Sequence, residues 1–248
     1  MFPIRDHNPS GRVPYVTYGL MLFNIGIFAS YWLTIPNEAV LSSFFVNWGL
    51  VPRQVMAGTG IETLFTSMFL HAGLVHLAGN MLFLFIFGDN LEDILGHLRF
   101  LGFYLLSGLS AAALQVFADP ASGVPMIGAS GAIAGVMGGY LLLFPRAKVD
   151  ILVIIVIFVR IFPIPAWVML GVWFAMQLFS GFSTPTDGGG VAYWAHAGGF
   201  IAGLLMMVPV LLGLGGTRFW HRTHGVPQHP EATYPVGKSG IPHVGRRK

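Results

Sequence analysis

The chain has no cysteine. Disulfides, thiolate metal sites and cysteine nucleophiles are therefore excluded. Charge is almost as scarce: 9% of the 248 residues are Asp, Glu, Lys or Arg, against about 25% in soluble domains. With 54% hydrophobic residues and a mean hydropathy of +0.71, most of the surface is expected to meet lipid rather than water. Acidic residues are missing from the apolar runs, and all ten Asp and Glu are expected in loops, in the tail or at helix ends. The first twelve residues are polar and contain no apolar stretch leading to a small-residue cleavage site, so no removable signal or transit peptide is expected. A lipid bilayer is the expected partner, and nucleic acid is not expected as one.

What the chain does have is six apolar runs near the 20 or so residues a membrane helix needs. They cover residues 15–35, 64–87, 98–118, 126–144, 165–179 and 192–212. The implied fold class is an all-α polytopic membrane protein with six transmembrane helices. Three regions follow: a cytoplasmic N-terminal segment (1–14), a six-helix membrane domain (15–212) and a cytoplasmic tail (213–248) whose Pro, Gly, His and basic residues predict disorder. Residues 36–64 mix Trp48, Pro52, Arg53 and Glu62 with apolar positions and read as a long loop lying in the interface. Gly88 to Asp93 is expected to end the second helix in water. Residues 149–163 are too short to span alone and are interrupted by Arg160 and Pro163, so an interfacial or re-entrant piece is expected, with a longer kinked fifth helix as the alternative. Residues 181–190 read as a flexible loop. With both termini inside, every Lys and Arg except Arg53 falls on the inner side, as the positive-inside rule requires.

Polar residues inside these runs are few, and polar side chains at membrane depth are costly and usually face the bundle interior. Ser130 is expected about five residues into the fourth helix and His196 about five into the sixth. Both helices start on the outer side, which places a hydroxyl and an imidazole at one depth, roughly 6–8 Å below the surface. A serine is a poor nucleophile until an adjacent base takes its proton. Two short side chains reach each other only if their helices approach closely, and the sequence supplies the means. Gly131, Ala134, Gly135 and Gly138 share one face of the fourth helix. His196, Gly199 and Gly203 fall within about 60° on the sixth. Small residues spaced by four are how membrane helices pack tightly. With no acid at this depth, a Ser–His dyad is the most the residues support. His76 and Asn80, at i and i+4 on the second helix, project together. They are candidate donors for a developing oxyanion, beside the free N–H groups of the turn that carries Ser130. His71 lies about 140° round from His76 on an ideal helix and reads as structural. Among rival classes, a transporter should show an internal repeat between halves, and none is detected.

These motifs resemble a known family. Gly128-Ala129-Ser130-Gly131 is similar to the GxSG nucleophile motif of rhomboid intramembrane serine proteases. Ala195-His196-Ala197-Gly198-Gly199, with Gly203 beyond, is similar to the AHxxG…G motif of their sixth helix. His71 to Asn80 is similar to their second-helix HxxxxHxxxN pattern. The resemblance covers roughly residues 15–212. It implies a rhomboid-like six-helix bundle with Ser130 as nucleophile and His196 as general base and acid. His76 and Asn80, with Gly128 and Ala129, would serve oxyanion and substrate binding. Gly131, Gly135, Gly199 and Gly203 would pack the helices. It further implies a mobile fifth helix and fifth loop, membrane-anchored protein substrates cleaved in or beside their transmembrane segments, and no cofactor or metal. One departure stands out: the first loop lacks the Trp-Arg pair that many members carry. With no transit peptide in view, a multi-pass protein of a prokaryotic cytoplasmic membrane is expected.

Overall fold

The computed structural model describes residues 2–155, 158–183, 190–226 and 229–232. Among them are ten α-helices and a three-stranded sheet.

The chain opens with strand β1 (Phe2–Asp6) and then helix α1 (Tyr15–Trp32), which starts directly after Pro14. Residues read as an interfacial loop form two helices, α2 (Glu38–Trp48) and α3 (Pro52–Met56). Each has a local start signal. The Asn37 side chain accepts from the Val40 N–H at 3.0 Å, an N-cap with Glu38 in the first turn. Pro52 occupies the first turn of α3, where its missing N–H costs nothing.

The second predicted helix is broken. Its first part is α4 (Thr63–Thr66) and a 3₁₀ turn (Ser67–Phe69); the long helix α5 begins only at Leu74 and runs to Leu95. The cause is a tertiary contact. The Tyr31 hydroxyl accepts from the His71 N–H at 2.8 Å and donates to the His71 carbonyl at 2.6 Å. The backbone at His71 is thereby diverted from a helical ladder, so His71 sits in a connection and shares no helix with His76. At its other end α5 does not stop in water at Gly88–Asp93. Leu91 and Glu92 are buried, and Glu92 accepts from the Val16 and Thr17 N–H groups, each at 2.8 Å, and from the Thr17 hydroxyl at 2.7 Å. A carboxylate here satisfies the free first-turn donors of α1 and complements its dipole.

Helices α6 (His97–Ala118), α7 (Ser130–Leu143), α8 (Ala166–Ser183) and α9 (Tyr193–Gly213) follow. Four helices, α5, α6, α8 and α9, are long and apolar enough to cross a membrane. The other two predicted spans fall short of that. Helix α1 equals α8 in length at 18 residues but carries Thr17, Asn24, Ser30 and three tyrosines. Helix α7 has 14 residues, not the 19 predicted from residue 126. Met126 pairs in both directions with the Leu50 backbone, at 2.9 and 2.8 Å, so the chain there is extended and not helical. Such irregular backbone is tolerated at depth only where protein surrounds it. Helix α7 itself is enclosed: every residue from Gly131 to Tyr140 is buried, with α5, α6 and α9 packed around it.

The alternative of a longer kinked helix fails, because residues 149–155 and 158–163 are strands. They lie in an antiparallel hairpin, β2 (Lys148–Ile155) and β3 (Phe158–Pro165), with Ile151 opposite Phe162. Strand β1 completes the sheet in the order β1-β2-β3. The β-branched run that was too short for a span is well suited to a strand. Val149 and Ile151 face the core, while Asp150 receives Arg5 Nε at 2.7 Å and pairs with His7 at 2.8 Å. The hairpin leads straight into α8, where the Ala166 N–H donates to the Ala147 carbonyl. The predicted disordered tail is ordered at its start. Helix α10 (Thr217–Thr223) buries Phe219, and Trp220 donates to the Leu142 carbonyl at 2.9 Å. Residues 233–248 of the tail and 184–189 of the predicted 181–190 loop lie outside the described residues.

Candidate active site

Ser130 is the first residue of α7 and His196 the fourth of α9, so neither lies a full five residues into its helix. The two side chains nevertheless meet. Ser130 Oγ is 2.7 Å from His196 Nε2. Helix α7 crosses α9 through glycines. A methyl group on Gly199 would overlap the Gly131 carbonyl, and one on Gly203 would overlap the Gly135 carbonyl. Gly135 and Gly138 are equally hemmed in, by Ser107 and by the Phe200 carbonyl. Backbone thus lies against backbone along the crossing, which is what lets a serine and a histidine on different helices bond directly.

The turn before Ser130 is held from outside its own helix. Gly128 donates its N–H to the Ser67 carbonyl at 2.9 Å, so that donor is already used. Gly128 has φ +131°, a conformation that disfavours any side chain, and a Cβ there would lie 2.9 Å from His76 Nε2. Ala129 is fully buried behind this turn. Ser130 follows at the start of α7, where the first-turn N–H groups have no intrahelical partner.

His76 is the third residue of α5 and Asn80 follows one turn later. The Ala72 N–H points at His76 Nδ1 at 3.3 Å, which makes Nδ1 the acceptor and leaves the proton on Nε2, the nitrogen beside Gly128. Asn80 is buried, and its Nδ2 has no hydrogen-bond partner among the described residues. Both line one cavity of about 820 Å³, together with Gly128, Ser130, Gly131 and His196. His71 does not line it. It is fully buried, edge-on to the His76 ring with centroids 5.1 Å apart.

Two further side chains belong to the site, both on α8. The Gln177 Oε1 is 2.8 Å from His196 Nδ1. The Trp173 ring lies over the imidazole, centroids 5.7 Å apart and 33° from parallel. The imidazole is thus partnered by an amide and not by an acid, a role outside every expectation from the sequence. The one signal for it was a lone carboxamide inside an otherwise strongly apolar run.

Compared with known proteins, residues 59–212 match the Rhomboid domain. The chain belongs to the rhomboid family. Among curated relatives, this rhomboid is 29% identical over 196 residues to "Rhomboid protein 1, mitochondrial" of Saccharomyces cerevisiae, covering 77% of this chain and 51% of that one. It is 41% identical over 133 residues to "Putative rhomboid protease YdcA" of Bacillus subtilis, covering 50% and 62%. It is 32% identical over 125 residues to "Rhomboid protease GluP" of the same organism, covering 50% and 24%. The rhomboid thus spans about half the length of the first of these relatives. Family and apolar helices together make it a multi-pass integral membrane protein. The expected prokaryotic membrane is not supported, because the relatives include mitochondrial proteins of yeast and Arabidopsis thaliana as well as bacterial ones.

Proposed function

We propose that this rhomboid is an intramembrane serine endopeptidase that cleaves transmembrane or juxtamembrane peptide bonds of membrane-anchored proteins. The observation that carries the reading is the 2.7 Å contact between Ser130 Oγ and His196 Nε2 inside an 820 Å³ cavity. This is hydrogen-bond reach for a nucleophile and its base. His196 Nε2 takes the hydroxyl proton as Oγ attacks the peptide carbonyl carbon. The resulting oxyanion is met by His76 Nε2–H, by Asn80 Nδ2 and by the free N–H groups at the start of α7. His196 then returns its proton to the leaving amine, and the amino product departs. Water enters, gives a proton to His196 and hydrolyses the acyl-serine. The acid is released and Ser130 regains its proton.

In the finer arrangement we favour, α1, α5, α6, α7, α8 and α9 form a six-helix bundle with both termini on the cytoplasmic side, the side that holds nearly all Lys and Arg. The cavity then opens toward the opposite face. A peptide bond locked in a helix hides its carbonyl from Oγ, so the favoured substrates carry small or helix-loosening residues. Purified protein in detergent should cleave such a transmembrane substrate, and Ser130→Ala and His196→Ala should each abolish cleavage. Undiminished cleavage by either variant would remove this mechanism.

A further inference from the structure

His196 has two nitrogens, and only one faces Ser130. The other meets Gln177, whose two contacts orient its amide. Gln177 Nε2 lies 3.3 Å from the Trp173 carbonyl, and Oε1 lies 2.8 Å from His196 Nδ1. A carbonyl only accepts, so the amide –NH₂ belongs on the Trp173 side and the amide oxygen on the histidine side. That oxygen also only accepts, so the hydrogen between Gln177 and His196 sits on Nδ1. A neutral imidazole protonated at Nδ1 presents its lone pair at Nε2, 2.7 Å from Ser130 Oγ. This is the tautomer a base needs in order to take the serine proton.

The neighbourhood holds the amide in this orientation. Gln177 is 8% exposed, on the α8 face that also buries Ala166 and Leu170. One turn earlier on the same helix, Trp173 covers the imidazole and Phe174 stacks on Phe200 of α9 at 4.5 Å. A carboxylate at this position would carry the cost of a buried charge, whereas an amide supplies the acceptor without it.

We infer that Gln177 is a positioning residue, an uncharged third member that sets the tautomer and ring orientation of His196 from a helix carrying neither catalytic residue. This inference rests on the Ser130–His196 protease reading. It has a mechanical consequence. Ser130 and His196 stand on α7 and α9, which are locked together by glycine contacts, while the acceptor stands on α8. Much of α8 is uncovered by protein, with Val172, Met176, Phe179 and Phe182 exposed. Any excursion of α8 away from α9 removes both the acceptor and the covering indole, so the base is competent only while α8 is seated.

The test uses the full chain in detergent, a fluorophosphonate probe that reacts with activated serine, and a fluorogenic transmembrane peptide. Gln177→Met keeps the length of the side chain but replaces the amide oxygen with a thioether, a much weaker acceptor. Its labelling rate and kcat should fall about 10- to 100-fold, a part of the roughly 100- to 10,000-fold that general-base catalysis contributes, with KM unchanged. Gln177→Glu restores an acceptor oxygen in either protonation state and should recover most of the rate. Gln177→Leu serves in the same role as the methionine variant should that one fold poorly, and thermal unfolding reports folding for all of them. Parent-like labelling by a folded Met or Leu variant overturns the inference and leaves the protease reading standing. So does a folded Glu variant as slow as Met. Absence of labelling in the parent itself overturns the protease reading and the inference with it.

Discussion

Gly199 of α9 lies directly against the carbonyl of Gly131 in α7, with no space for a methyl group between them. The contact is one turn from His196 on one helix and one residue from Ser130 on the other. It sets how near the hydroxyl and the imidazole can come.

Gly199→Ala should therefore push the two helices apart. Overpacking of this kind costs about 1–3 kcal/mol, and a displacement near 1 Å at a reacting pair can cost about 100-fold in rate. Gly102→Ala, on α6 with open space around its Cα, should stay within about 0.5 kcal/mol of the parent. Thermal unfolding in detergent and peptide cleavage check both. Equal behaviour of the two variants would contradict the account of the crossing.

Asn80 and His76 should differ from the dyad in the kind of loss they cause. Asn80→Ala removes from the cavity a buried donor that has no partner among the described residues. It should lower kcat by about 100- to 1,000-fold, as loss of an oxyanion donor does. Because Ser130 and His196 stay in place, fluorophosphonate labelling should be reduced but detectable, whereas Ser130→Ala should abolish it.

Tyr31→Phe tests the pin that keeps residues 70–73 out of a helix. The change strands the buried His71 N–H and carbonyl, at about 1–3 kcal/mol for an unsatisfied group. Freed backbone before α5 should also loosen His76. Lower stability together with reduced kcat is expected; a stability loss with full kcat would detach this contact from the site.

The pH dependence of folding should carry two opposed contributions from the sheet side. Burial raises the Asp6 carboxyl, against hydrogen bonds from Tyr140 and Asn8 that lower it, to about 6. Because the folded value is above the unfolded one, near 3.9, folding favours protonated Asp6. Its contribution is present below about pH 4 and is lost as pH rises through 6. Asp150 goes the other way: burial would raise it, but hydrogen bonds from His7 and Arg5 prevail and lower it. Its contribution is present above the ordinary carboxylate range and is lost as pH falls through its depressed value. Asp6→Asn keeps an acceptor for the Tyr140 hydroxyl and should gain stability over the parent as pH is raised from 4 to 7. Unfolding midpoints across that range decide it, and a constant difference would refute the upward shift of this carboxyl.

Much of the candidate site was legible because its chemistry is local. Ser130 inside a Gly/Ala run, His196 followed by Gly199 and Gly203, and His76 with Asn80 one turn on are patterns that helical spacing turns into shared faces. Scarce charge and the placement of Lys and Arg likewise sufficed for a membrane-embedded helical chain.

Other features depend on partners far along the chain. His71 looked helical until Tyr31, 40 residues earlier, took its backbone groups. Residues 149–155 and 158–163 pair with each other as two strands, and β1, from the N-terminal end of the chain, adds a third strand beside β2. Gln177 acquired meaning only from the 2.8 Å contact that α8 makes with His196. Periodicity reports which residues share a face, and in helices apolar nearly all round even that signal is faint. Which face meets which neighbour is settled by close packing and by pairing of buried polar groups, and both emerge only when the helices come together.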